Sequence, residues 1–220
     1  MSFRAPIVQP SFANHFVTHR KEILVQRKTS KPWKAFGAAG ALAALLAWSG
    51  AGWAQTGQAS AARAVVLGSV TSLADTGTLG GAGDARGTGL DTGSIPGLVS
   101  AEALHAATMG WTDQVASQAS LGNVTLTVAG TGITADFIQS SALAIAGSGA
   151  SGAASIEGLS IGGRPVSVTG APNQLISLPG LSVIVNEQVQ SASGIVVNAL
   201  RIRTLDGLTD IVVGSSRAGL

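Results

Sequence analysis

GNVTLTV, residues 122–128, sets Val124, Leu126 and Val128 on one side of an extended chain and Asn123, Thr125 and Thr127 on the other. Successive side chains of a strand point to opposite faces, so this alternation marks a strand with one dry and one wet face. The period returns downstream. In ITADFIQSSALAIAG (133–147) the odd positions Ile133, Ala135, Phe137, Leu143 and Ile145 form the apolar side. LSVIVNEQV (181–189) offers Leu181, Val183, Val185 and Val189, and GIVVNALRIRT (194–204) sets Val196, Leu200 and Ile202 against Arg201 and Arg203. Turn formers separate the runs: GSGASG at 147–152, IGGRP at 161–165, GAPNQ at 170–174, LPG at 178–180 and LDG at 205–207. Many short strands with Gly and Pro punctuation predict an all-β, antiparallel two-sheet sandwich. A β-solenoid is the alternative fold, disfavoured because no fixed repeat length emerges.

Two stretches resist this pattern. LVSAEALHAATMG (98–110) has the composition of a short helix, yet Val99, Ala101, Ala103, His105 and Ala107 also alternate, and strand is favoured because the surroundings are β. From Gly77 to Pro96 the density of glycine predicts a long loop.

The first 54 residues read differently. Seven of the thirteen basic residues precede residue 35, and the apolar run AFGAAGALAALLAW (35–48) follows, then the small-residue stretch SGAGWAQT. A basic n-region, a short apolar core and small residues at the exit define a secretory signal peptide. Fourteen residues rise only about 20 Å as a helix, short for a membrane span. Cleavage after Ala54 leaves Gln55 first and a single domain over 55–220. Retention of the segment as an N-terminal signal helix would be the chain's only hold on a membrane. The n-region is long, and a start near Val25 would give ordinary signal dimensions.

Past the leader lie six arginines, no lysine and ten acids, a net charge of −4. Nucleic-acid binding needs clustered Lys and Arg to displace counterions from phosphate, so that partner class is excluded. The chain has no cysteine, which removes disulfides and thiolate metal sites. The 166 residues after Ala54 must be stabilised by their own packing, and suffice for one core.

Asp-Thr-Gly occurs twice, at 75–77 and 91–93. Aspartic proteases use two carboxylates that share one proton across a symmetric site. Asp75 and Asp91 lie sixteen positions apart on Gly-rich chain, which cannot supply two lobes, and turn formation by Asp and Gly accounts for both motifs. An extracellular aspartic-type hydrolase using Asp75 is therefore the alternative function. His105 is the lone histidine after the leader, no Gly-x-Ser-x-Gly elbow accompanies it, and zinc lacks ligands. Calcium at Asp75, Asp84 and Asp91 is the alternative reading of this loop, and a solvated acidic loop is favoured. GTGLDTGSIPG (87–97) lacks the Lys and the following helix of a phosphate loop. No catalytic residue, cofactor or metal ligand is assigned.

Asn186-Glu187-Gln188 interrupts an apolar strand. If the alternation continues, Glu187 points into the apolar side, where an unpaired carboxylate is expensive. Either the strand bulges at Asn186 or Glu187 has a partner. Asn198 poses the same problem. Asn186, Glu187 and Asn198 are expected to form a structural polar network that fixes strand register, in preference to a ligand site.

The C-terminal run GAPNQLISLPG…VIVNEQ…GIVVNALRIRT…DIVVGSSRAGL, preceded by IEGLSIGGRPV, resembles the bacterial choice-of-anchor P proteins. SLADTGTL, AEALHAATMG and QASLGNVTLTVAGTGITADFIQSSA extend the likeness over residues 61–218. The resemblance implies an exported protein of the envelope, with no catalytic residues to carry over. The chain stops at SSRAGL, without a Leu-Pro-x-Thr-Gly motif, a Pro-Glu-Pro segment or a terminal hydrophobic helix, so release or an N-terminal hold is expected. The expected function is an exported, non-enzymatic β-domain, secreted or at the cell surface, structural or adhesive in the envelope or matrix. Its partner is an envelope or matrix component, with self-association through edge strands as one route.

Overall fold

The computed structural model describes residues 55–220, and the basic leader and signal segment expected over 1–54 lie outside the described residues. The chain forms β1 (Thr56–Val66), β2 (Ser69–Asp75), β3 (Ala85–Ile95), β4 (Val99–Gly110), β5 (Gln114–Val128), β6 (Thr131–Ile145) and β7 (Gly149–Glu157). It continues through β8 (Ser160–Ile161), β9 (Arg164–Pro165), β10 (Gln174–Leu178), β11 (Leu181–Ser191), β12 (Gly194–Thr204) and β13 (Thr209–Gly219). No helix occurs among the described residues.

The strands make two antiparallel sheets. The first runs β10-β11-β12-β13-β1-β2; the second runs β3-β4-β5-β6-β8-β9, with β7 also paired to β6. Most strands pair with a neighbour in sequence; within the sheets the exceptions are β13 beside β1 and β8 beside β6. Two-residue turns close β1–β2 and β5–β6: Leu67-Gly68 and Ala129-Gly130 all have left-handed φ, the geometry that matches strand twist. β13 packs over β5 and β6, β12 over β6 and β7, and β1 over β4 and β5. The result is a sandwich; two facing sheets with a common core replace the solenoid alternative.

The expected loop over 77–96 is corrected in part. Residues 76–84 are irregular, but Ala85–Ile95 is β3, paired along its length with β4. Its glycines lack side chains to alternate, so its strand character comes from the β4 ladder and not from a local pattern. The ambiguous 98–110 segment is strand β4.

The simple alternation is also corrected, along one line in each sheet. In the first sheet, the registers place Asn186 opposite Ala199, Ala199 opposite Gly214, Gly214 opposite Ala61, and Ala61 opposite Ala74. Asn186 (φ 53°), Gly214 (φ 65°) and Ala74 (φ 45°) are left-handed, one in every second strand. In the second sheet Ala103 and Asn123, both at φ 48°, mark the corresponding line. A left-handed residue turns the following peptide over, so its two neighbours land on opposite faces instead of the same one. β5 therefore buries Val115, Ala119 and Leu121 before the line, and Val124, Leu126 and Val128 after it. In β6 the core face passes from Ile133 and Ala135 to Ile138, Ala142 and Ala144; Phe137, Leu143 and Ile145 are only partly buried. In β11 Val189 is 53% exposed, and in β12 Val197 faces inward in place of Val196.

The line divides the core into two ends. On one side Leu126, Val128, Ile133, Leu200 and Ile202 fill a broad apolar interior, which continues across the line to Leu104 and Leu121. On the other the filling is small: Ala59, Ala106 and Ala119 form one cluster, and Ala142, Ala144 and Ala218 pack with Val115 and Val197. The sheets approach so closely there that hydroxyls bridge them. Ser140 Oγ lies 2.7 Å from Ser216 Oγ, and Ser117 Oγ donates to the Arg217 carbonyl at 2.6 Å. Gln188 and Gln190, turned inward past Asn186, donate from Nε2 to the Gly152 and Ala150 carbonyls of β7, each at 3.1 Å.

Candidate functional site

Two places collect the features that carry chemistry: a charged network on the outer face of the first sheet and a concavity on the outer face of the second.

The network is centred on Glu187. Inversion at Asn186 turns this carboxylate to the outer face, where it is nevertheless 93% buried under its neighbours, with 7% exposed. Asn198, opposite it on β12, donates from Nδ2 to Oε2 at 2.6 Å. Arg201 Nη1 reaches both carboxylate oxygens, at 3.0 and 3.1 Å. The same guanidinium binds Asp210 on β13 through Nε (3.0 Å) and Nη2 (2.6 Å). Ser215 donates to Asn198 Oδ1 at 2.8 Å, and Arg203 Nε lies 3.5 Å from Asp210. Arg201 thus joins two acids from neighbouring strands, and its fork geometry suits the bidentate bond to Asp210. For Asp210, burial pushes the carboxyl up, but the hydrogen bond and charge of Arg201, aided by Arg203, hold it below the usual carboxylate range. For Arg201, the Asp210 hydrogen bond comes first in raising its pKa, against burial, with Glu187 adding its charge.

Of the expected trio, Glu187 and Asn198 meet and Asn186 does not join them. Asn186 Nδ2 donates to the Gly170 carbonyl at 3.0 Å and its Oδ1 accepts from Gln188 at 3.0 Å. The inversion separates it from Glu187 although the two are adjacent in sequence. Arg201 and Asp210 were missed by sequence reasoning. A signal existed: the Leu-Asp-Gly turn at 205–207 forces an antiparallel hairpin that sets Arg203 opposite Asp210, one diagonal step from Arg201. Arg63, Asn198, Arg201 and Ser215 line a depression of about 160 Å³ beside the network.

The two Asp-Thr-Gly motifs lie in different sheets. Asp75 ends β2, where its Oδ1 accepts from the Gly77 amide at 2.8 Å and from Gln58 Nε2 at 3.0 Å, a turn at a strand end. Asp91 is exposed within β3, opposite Ala103. Asp84 binds Arg86 at 2.9 Å and accepts from the Gly80 amide at 2.7 Å, and that backbone bond is the first cause of its lowered pKa. Among the described residues no three His, Asp or Glu side chains gather closely enough to hold a metal ion.

The concavity lies on β3–β7, on the small-residue side of the inversion line. It measures about 780 Å³, with Met109, Trp111, Ala116 and Leu143 at one end. A neighbouring hollow of about 600 Å³ is lined by Gly89, His105, Gln118 and Ser120. His105 thus sits on an outer face and not in the core.

Together the fold and these faces define an antiparallel β-sandwich with one closed ionic network and one concave face whose charged lining residue, Arg86, is paired with Asp84. Comparison of the chain with protein-family models, with curated proteins and with solved structures finds no match in any of the three.

Proposed function

We propose that the protein is an exported, non-enzymatic β-domain that serves a structural or adhesive role in the cell envelope or extracellular matrix. The signal-like leader and the resemblance to choice-of-anchor P proteins support the location, and membership of that group is part of the proposal. The observation that supports a non-catalytic role is the closure of the ionic network. Glu187 and Asp210 are both engaged by Arg201, and Asn198 is engaged by Glu187 and Ser215. General acid–base catalysis needs a group positioned to exchange a proton with substrate, and these groups are directed at each other. Asp75, the residue of the hydrolase alternative, has Oδ1 engaged in its own turn.

Fractionation of the producing cells and medium, with sequencing of the mature N-terminus, tests the reading. The expected result is protein beginning at Gln55 in the envelope or medium, inert on peptide and glycan panels. A cytoplasmic, unprocessed protein, or a peptidase activity abolished by Asp75→Asn, overturns it.

A further inference from the structure

We infer that the uncharged outer face of β3–β7 is the contact surface of a two-fold symmetric dimer of this chain. The inference deepens the structural role proposed above and rests on it only for its biological meaning.

The face is assembled by strand register. Its middle row is Gly87, Ala107, Gln118, Ser141 and Ala153, contributed in turn by five adjacent strands. One row away stand Met109, Ala116 and Leu143, with Trp111 beyond them; one row the other way stand Gly89, His105, Ser120 and Gln139. None of these residues carries a fixed charge. Charge begins at the rim: Arg86, paired with Asp84, and the exposed Asp91 and Glu157, the latter two each two rows from the middle row toward the inversion line. Beyond the inversion line the outer face changes character, to Glu102, Asn123, Thr125, Thr134 and Asp136.

Three physical points favour a second copy as the occupant. First, an isologous interface sets each patch against itself, so any fixed charge near the axis would oppose its own image. A face without charge is the composition that self-contact permits, in a domain that carries net −4. Second, the face is bulky at one end and hollow at the other. Met109 and Trp111 are 42% and 40% exposed, while the opposite end has Gly89 and Ser120 around a hollow of about 600 Å³. A two-fold axis lying in the interface along the middle row places the Met109–Trp111 end of each copy over the hollow end of the other. Third, the area is sufficient. Five strands at about 4.8 Å spacing and rows about 6.8 Å apart give roughly 600 Å² per copy, or about 1,200 Å² in total, the lower end of specific interfaces. Small side chains let two such sheets stack at about 10 Å.

Gln118 lies on the central strand in the middle row and is exposed, so substitution there changes the face without touching the core. The experiment is sedimentation velocity on the full chain, recovered from the producing cells, from about 1 to about 100 µM. It compares the wild type with Gln118→Glu and Ala107→Arg, and each variant's thermal melt confirms folding. The expected result is a concentration-dependent dimer in the wild type and at least tenfold weaker association in both folded variants. A wild-type monomer throughout overturns the inference, with or without a small molecule bound on native mass spectrometry. So does an oligomer that both substitutions leave intact, which would place the contact elsewhere, including in the apolar leader. Failure here leaves the location experiment untouched, so the two readings fall separately.

Discussion

Replacing Glu187 by alanine removes the centre of the outer-face network, and its cost follows from the partners left behind. Asn198 is 6% exposed and would lose the acceptor for its Nδ2. An unsatisfied buried polar group costs about 1–3 kcal/mol. Arg201 would lose one of its two acids but keep the bidentate Asp210 bond, and its side chain is 21% exposed, so water can reach part of the vacated site. That second loss is therefore well below the roughly 3–5 kcal/mol of a fully buried broken pair, and the total comes to about 2–4 kcal/mol. For a domain of this size each kcal/mol moves the melting midpoint by about 2–4 °C, so differential scanning calorimetry should show a fall of roughly 4–16 °C. Glu187→Gln keeps one acceptor for Asn198 and should lose only about 1 kcal/mol. The order wild type, Glu187→Gln, Glu187→Ala is the signature. An alanine variant that melts with the wild type would refute the argument, because it would mean that solvent replaces every bond the carboxylate makes.

Asp210, held low by Arg201, adds stability that is present above the unfolded carboxyl pKa of about 3.9 and is lost as pH falls through its lower folded value. Stability should therefore hold between pH 8 and 5 and decline below about pH 4. Asp210→Asn should be less stable at neutral pH and show a shallower acid decline, measured by urea denaturation across that range. Ala103→Gly should stabilise the fold by about 0.5–1 kcal/mol, opposite to the usual effect of glycine in a strand, because Ala103 is left-handed (φ 48°) and exposed. A loss of stability there would contradict the inversion line in the second sheet. Gly152→Ala should destabilise by about 1–3 kcal/mol, because a Cβ would overlap Val197 and stand 2.7 Å from the Ser141 carbonyl. An unchanged chemical-denaturation midpoint would show that the small-residue end is looser than described.

Much of the fold was legible where side chains report their surroundings. Val124, Leu126 and Val128 alternate with threonines in GNVTLTV and all three are buried. The turn at 205–207 falls between strands and that at 178–180 begins at the last residue of β10, because Gly, Pro and Asp reveal turns locally; of GSGASG only 147–148 is turn, and Gly149–Gly152 opens β7. β3 was not legible, since GTGLDTG has few side chains that can alternate and it pairs only because β4 lies beside it. The face assignments of Leu143, Ile145, Val189 and Val196 failed for a different reason. A single left-handed residue shifts the phase of everything after it, and Ala103 or Ala74 has no sequence mark to announce that conformation. Asn123 and Asn186 are residues that tolerate it, which is a hint but not a signal. At the network, the sequence exposed the problem of a carboxylate in an apolar run; the solution, Arg201 held between strands, needed the register of β11, β12 and β13.

Local chemistry was thus enough to define the class of object: a cysteine-free, acidic β-domain behind an export-like leader, since composition and period-two patterning depend on each residue's own preferences. Which sides face the core, which charges meet and which outer face is free of charge depend on how strands lie against one another. The inversion line of the first sheet runs through five adjacent strands, so no single strand could have revealed it. The line in the first sheet turns Glu187 outward to Arg201, and register gathers Ala107, Gln118 and Ala153 onto one face of the second, because ladder partners on adjacent strands stand on the same side of a sheet.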